Sequence, residues 1–484
     1  MPEGMRVRDH AGGWRPVREL DPAEAPCRRD VRLAPTRYVA DRLIVRSTPG
    51  EDDGLLALLR ERAADRGLSL EQEELTPAPM RSEVSRMGVA LHVGGGSEDT
   101  DVWDLLDDVA SLTGEEDRKR VGLDHVLTGH RADAGVGVPH DWEPAHWVGP
   151  QPRREFGEGP FPWLTEDGRT RPVVGVVDTG IGAHPWFDTS QVVIRDAAVD
   201  GRPIGTWTED EPSTGHEPPM ELAPYVGHGT FIAGIVHQVC PDAAILPVRV
   251  MSTDGTVREW DLARSLERLL EYHLRGISGM DGYAPVDVIV LALGFQPEDI
   301  AEDDYNGVLR GILRDLRRQG VLVVASAGND GADRPVFPAG WAPHVRRVND
   351  VAVPEETRDL RANYTPLLSV TASNPNGSLA EFANDGPWVT CVRPGSKVHS
   401  AMPVTADGAL HPQFLTEGVR ESVDPDDFTG GFAVWSGTSF SAPVLAGELA
   451  RHLFIDGRRD RAERLEAAWR AVQVVTGLPV PARS

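Results

Sequence analysis

Four short, mainly apolar runs limit most tightly what this chain can fold into. They lie at 173–177, 244–250, 286–293 and 321–325. The first reads Val173-Val174-Gly175-Val176-Val177. It is too short for a core helix and lacks the alternation of a half-buried strand, so it fits a strand covered on both faces. Helical patterns lie between the runs. Leu262, Leu266, Leu269 and Leu270 share one face; Val308, Leu309, Ile312, Leu313 and Leu316 share another. Strands and helices in alternation predict a doubly wound, mostly parallel α/β sheet over 172–455. In such sheets the site lies outside the carboxyl ends of the strands. The polar residues of this chain gather there.

Asp178 follows directly on Val177, in Asp178-Thr179-Gly180. An isolated Asp at this place would be read as a turn cap. The next element is Gly227-His228-Gly229-Thr230, ahead of the apolar stretch 231–236. Two flanking glycines let the backbone approach closely and present an imidazole at a helix start, although a lone His is more often structural. The third is Gly437-Thr438-Ser439-Phe440-Ser441-Ala442-Pro443, a Gly-started turn into a helix that tolerates Pro443 in its first turn. Taken singly, Ser439 would be a helix N-cap. Together, Asp, His and Ser in that order, each among small neighbours, make the subtilisin order of the convergent triads.

At these residues the chain resembles the subtilase family of serine peptidases. The matching stretches are 174–180, His228-Gly229-Thr230 with Ala233-Gly234, and Gly437-Thr438-Ser439 with Ala442-Pro443. A fourth, Ala325-Ser326-Ala327-Gly328-Asn329-Asp330, is similar to the family segment carrying an oxyanion-hole asparagine. The likeness extends from 172 to 452 and takes in 245–250, 337–339 and 378–384. It implies a serine endopeptidase. A serine hydroxyl is a poor nucleophile at neutral pH, so His228 would accept its proton as general base and return it to the leaving amine. Asp178 would hold the imidazole in the right tautomer. Asn329 and the Ser439 backbone N–H would receive the oxyanion. The resemblance also makes Ala292-Leu293-Gly294 the edge against which an extended peptide pairs, with Ala327 and Gly328 walling a side-chain pocket. Ala292 and Phe295 stand where the family usually shows Ser and Gly, which alters the pocket. Asp330 beside it would favour a basic side chain.

The first third has a different texture. Residues 38–46 read as a strand, and Leu55, Leu56, Leu58 and Leu59 mark a helix ending near Gly67. A strand at 68–75, another at 88–93, a helix at 101–112 and a strand at 121–127 follow. Strand, helix, strand, strand, helix, strand is the ferredoxin-like order. It predicts a small α+β domain over 35–130, after an extension of 1–34. A linker over 131–171 carries Trp142, Trp147 and Trp163, whose rings are expected to dock rather than float. A charged helical extension occupies 456–484. Subtilases are commonly made with a ferredoxin-like propeptide that assists folding and blocks the cleft, so the resemblance implies an inhibitory role for 35–130. An unrelated accessory module is the alternative.

Composition closes other routes. A net charge of −26, from 49 Lys+Arg against 75 Asp+Glu, repels nucleic acid and anionic lipid, so neither is expected as a partner. No run of eighteen apolar residues offers a membrane span, and the first twenty residues are too polar for a secretory leader. Cys27, Cys240 and Cys391 lie far apart, with neither a disulfide framework nor metal-ligand spacing. These features predict a cytoplasmic protein, and the resemblance implies protein or peptide substrates. Glu209, Asp210, Glu211, Glu217, Asp424, Asp426 and Asp427 resemble hard-cation ligands in type. The family often binds structural calcium, but scattered acids in so acidic a chain read as solvated. No metal ligand is assigned, and the chemistry requires no cofactor. Two other functions fit the same residues: a catalytically silent or locked binding module, and a protease dedicated to maturing one peptide.

Overall fold

The computed structural model describes residues 5–23, 25, 33–47, 54–75, 77–80, 87–94, 101–129, 142–146, 149–188, 191–206, 222–298, 307–348, 351–355, 360–416, 420–454 and 460–481. Two compact units emerge. The smaller comprises Met1–Thr128, Thr256–Leu274 and Phe295–Asp315; the larger comprises Gly129–Gly255, Arg275–Gly294 and Leu316–Ser484.

In the smaller unit the elements are β1 (Arg6–Arg8), β2 (Trp14–Glu19), β3 (Arg37–Ser47), α1 (Gly54–Asp65), β4 (Ser69–Glu74), β5 (Met87–Gly94), α2 (Val102–Leu112) and β6 (Val121–Gly129). The long β3 carries the sheet. One edge pairs with β6, while the other pairs first with β2 and then with β5, all antiparallel. β4 completes the sheet on β5, and β1 on β2. Leu43 sits across from both Leu91 and Leu123. These residues join Leu55, Leu59, Val102, Leu105 and Val109 in one core, so each helix buries the stripe that its spacing marks out. Asp101 caps α2 through Trp103 N at 2.9 Å and accepts from the Tyr38 hydroxyl at 3.0 Å. β1 and β2 lie within the stretch read as an extension. Val7 and Val17 bury against Val39 and Val126, but one valine per strand among arginines leaves little periodicity to see.

A buried ionic cluster ties the pieces of this unit together. His125 on β6 bonds Glu259 through Nδ1 and Glu298 through Nε2, each at 2.8 Å, and stacks on Phe295. Burial alone would lower its pKa, but the Glu298 and Glu259 carboxylates outweigh that and lift it to about 10. Next to it, Asp124 accepts from Trp260 N at 3.1 Å and lies 3.4 Å from Arg42. Charges taken out of water in this way add little net stability, yet removing one partner strands the other. Their role is to fix one arrangement.

In the larger unit, β7 (Val173–Asp178), β8 (Ala244–Arg249), β9 (Val288–Leu291), β10 (Leu322–Ser326), β11 (Leu367–Ser373) and β12 (Cys391–Pro394) form a wholly parallel sheet in the order β8-β7-β9-β10-β11-β12. β7 through β10 are buried along their full length, as continuous apolar runs require. The chain leaves β7 for β8 on one side and returns to β9 on the other. That reversal opens a crevice at the carboxyl end of β7, where Asp178 sits. Helices α3 (His228–Val239), α4 (Thr438–Ala450) and α5 (Arg461–Thr476) belong to this unit. Phe440, Leu445 and Leu449 of α4 lie in the main core with Ile232 and Val236 of α3.

Much of the predicted linker and tail is built into that core. Trp142 packs edge-on against Trp435 at 5.0 Å, and Glu143 and Pro144 pair with Val434 and Ala433. Trp163 is also buried, whereas Trp147 lies outside the described residues. The last helix, α5, begins with a capping box between Asp460 and Glu463 and buries Leu465, Ala468, Trp469 and Val472. Its Arg464 reaches Asp287 at 3.0 Å. Cys240 and Cys391 are buried thiols outside any disulfide among the described residues, and burial pushes Cys240 up to about 11, which leaves it inert at neutral pH. Cys27, Glu209, Asp210, Glu211 and Glu217 lie outside the described residues.

Two histidines in this core set an acid limit. His184 Nε2 donates to Gly431 O at 2.9 Å while Nδ1 accepts from Trp186 N at 3.1 Å, the pattern of a neutral ring. Burial holds both His184 and His237 at about 4, against an ordinary 6.5. The unfolded chain takes up these protons near 6.5, and the folded one refuses them until about 4. Stability is therefore complete above the upper value and drains as pH falls through the window, by about 3 kcal/mol per histidine. Melting temperatures measured from about pH 7 down to pH 4 should fall steeply; a flat profile contradicts the burial argument.

Candidate active site

Asp178 ends β7 with its side chain buried. Its Oδ1 accepts from Thr179 N and from His228 Nδ1, both at 2.8 Å. His228 opens α3, and two threonines clamp that helix start to the turn after β7. Gly229 N donates to Thr179 Oγ1 at 3.0 Å, and Gly182 N donates to Thr230 Oγ1 at 2.8 Å. Gly229 is required here, since a Cβ would lie 2.2 Å from Gly180 O. Around the imidazole stand Tyr225, Trp435 and Phe440, with ring centroids 5.3, 5.4 and 5.4 Å away. Nε2 of His228 is buried without a hydrogen-bond partner.

Ser439 is the second residue of α4 and fully buried; its Oγ lies 3.4 Å from Ala292 O, a long hydrogen bond. Ala292 links β9 to the two-residue strand Leu293–Gly294. Asn329 meets the same helix start, where its Oδ1 accepts from Thr438 N at 2.9 Å. That bond fixes which way the amide faces, and Nδ2 is left buried with no partner. Gly328 N donates to Thr438 Oγ1 at 3.1 Å, and Ala327 N donates to Val370 O at 2.9 Å. The structure thus pairs Asp178 with His228 directly and sets Asn329, Gly328 and Ala292 against the turn that carries Ser439.

Other residues at the site were not singled out by sequence. Asn384 pins the loop after β10: Oδ1 accepts from Asp330 N at 2.9 Å and Ala332 N at 3.0 Å, while Nδ2 donates to Ala327 O at 3.2 Å. Its amide also donates to Asp330 Oδ2 at 3.1 Å, so that carboxylate serves its own loop. The stretch 378–384 is family-like in sequence, and its last residue carries this role. Tyr225 lies just ahead of a marked motif, and the two clamping threonines lie inside marked motifs, where nothing in the sequence shows their bonds. Among the described residues, no three His, Cys, Asp or Glu side chains converge as metal ligands, and no helix is long and apolar enough to cross a membrane.

A family model described as the subtilase family matches residues 169–454. The chain belongs to the subtilase family. It is by class a subtilisin-like serine protease, a hydrolase. The major intracellular serine protease of Bacillus subtilis (strain 168) is 25% identical over 289 residues, covering 57% of this subtilase and 66% of that protein. An intracellular serine protease of Paenibacillus polymyxa is 24% identical over 306 residues, covering 61% and 70% respectively. The alignments thus span about two thirds of these relatives' lengths. Among solved structures, fervidolysin from Fervidobacterium pennivorans, described as a keratinolytic enzyme related to subtilisin, covers 92% of this chain and 58% of its own. Its identity is 16% and its TM-score 0.46.

Proposed function

We propose that this subtilase is an active serine endopeptidase in which Asp178, His228 and Ser439 form the triad and Asn329 contributes to the oxyanion hole. One observation carries the assignment. The 2.8 Å bond from His228 Nδ1 to Asp178 leaves Nε2 as the acceptor, and both Nε2 and Asn329 Nδ2 are buried with no partner. One of these atoms is thereby left to take up a proton and the other to donate to an oxyanion. Ser439 Oγ would attack the peptide carbonyl carbon as its proton passes to Nε2. The carbonyl oxygen, now negative, would take hydrogen bonds from Asn329 Nδ2 and Ser439 N. Collapse would break the C–N bond, with the same proton leaving on the amine, and water would then release the acyl group by the reverse path. An extended substrate would pair along Ala292-Leu293-Gly294, with Ala327 and Gly328 beside its side chain.

Fluorophosphonate labelling tests the nucleophile. The probe should attach to Ser439 and fail on Ser439→Ala; labelling elsewhere, or none, sinks the assignment and favours a silent binding module. Asn329→Ala should lower kcat by about 10²–10³ with little change in KM, a magnitude measured on another member of this family. A change confined to KM would show that Asn329 does not serve the transition state.

The N-terminal domain we read as ferredoxin-like and inhibitory. The sheet order β4-β5-β3-β6, antiparallel throughout, supports the first part. The pairing of Val126–Thr128 with Thr256–Arg258 supports the second, because it adds the domain's last strand to an edge. Purified wild-type chain should cut itself within 131–171, and Ser439→Ala should stay intact. The names of the two intracellular relatives support a cytoplasmic location.

A further inference from the structure

The endopeptidase assignment leaves open what the cleft selects, and Gly129 bears on that. Within the smaller unit, Val126, Leu127 and Thr128 pair antiparallel with Arg258, Val257 and Thr256. The register carries on into the larger unit, where Gly129 N donates to Gly255 O at 2.9 Å. Gly129 O accepts from the Tyr225 hydroxyl at 2.5 Å. That tyrosine is held at both ends. Its N bonds Thr253 O at 2.9 Å, its own carbonyl accepts from His228 N at 3.2 Å, and its ring packs edge-on to the His228 imidazole. Only 7% of it is exposed, so the ring has little room to swing aside. A Cβ on Gly129 would meet three ring atoms at 2.5, 3.0 and 3.3 Å, and one on Gly255 would meet the ring at 2.1 Å. The ring therefore fills the space that a side chain would need, one residue layer from the general base.

We propose that Tyr225 and Gly255 form a glycine-selective subsite. A peptide strand takes two backbone hydrogen bonds there, from Gly255 O and the Tyr225 hydroxyl, and the ring admits no side chain. Substrates carry glycine at one fixed distance from the scissile bond, and the enzyme's own Leu127-Thr128-Gly129 is a ligand of this kind. This rests on the endopeptidase assignment, so the test separates the two. In the full-length chain, Gly129→Ala should speed fluorophosphonate labelling of Ser439 by about tenfold or more, because the strand no longer seats. Adding Tyr225→Ala should slow it most of the way back. Labelling of Gly129→Ala at the wild-type rate overturns the subsite and leaves the triad standing; labelling in no variant overturns both. A peptide spanning 124–135 gives the second readout. Its kcat/KM should exceed that of its glycine-to-alanine counterpart by about tenfold or more in wild type, and by no more than about threefold in Tyr225→Ala. A ratio unchanged by Tyr225→Ala overturns the proposal, since a merely structural tyrosine would slow both peptides alike.

Discussion

Ser439→Ala should stop peptide hydrolysis while leaving the fold intact. The expected loss in kcat is about 10⁶-fold, the size measured when the nucleophile of another subtilase was removed. The small structural cost follows from the geometry. Ser439 is fully buried, and its hydroxyl lies at a long 3.4 Å from Ala292 O, so trimming it to a methyl group keeps the packing and makes no cavity of consequence. Melting temperature should move by no more than a few degrees. Turnover of a peptide substrate, followed beside a thermal melt of the same preparation, checks both halves. Hydrolysis persisting at the wild-type rate would remove Ser439 from the mechanism. Lost activity with a collapsed melt would reduce it to a packing residue.

Asp178→Asn should cost about 10⁴ in kcat. Asp178 Oδ1 receives both Thr179 N and His228 Nδ1. An amide in its place keeps the shape and loses the charge that stabilises the imidazolium. Stability should change little, because the substitution is nearly isosteric. A loss seen only in KM would mean that Asp178 does not act through His228.

The sheet was legible because strands buried on both faces must be apolar throughout, and 173–177 and 321–325 announce themselves that way. The candidate site was legible where its residues coincide with a backbone demand. Glycines at 227, 229 and 437 mark sharp entries into helices, and His228 and Ser439 stand beside them. What escaped notice depends on partners far along the chain. Thr179 and Thr230 clamp the turn after β7 to α3 through bonds spanning about fifty residues. Asn384 reaches back to Ala327 across 57 positions. Neither spacing has a periodic signature. The tail was set apart as an extension because 460–464 are almost all charged, yet Trp469 and Val472 bury in the main core. The domain limits suffered similarly. A domain drawn at 35–130 omits Glu259 and Glu298, which lie 134 and 173 positions from the histidine they hold.

The smaller unit is assembled from three separate stretches, the last of them ending at Asp315. A ribosome making this chain in order cannot complete that unit when its N-terminal stretch emerges. At about 5–20 residues per second, the gap between Thr128 and the arrival of Asp315 lasts on the order of ten to forty seconds. Through that interval His125 and Asp124 have yet to meet Glu259, Glu298 and Trp260 N. The nascent histidine titrates near its ordinary value, and the strand that bears it is left without half of its shelter. Burial of those charges is then an act of a polypeptide about two thirds made, which translation times after the synthesis of Asp178 and His228 and ahead of that of Ser439.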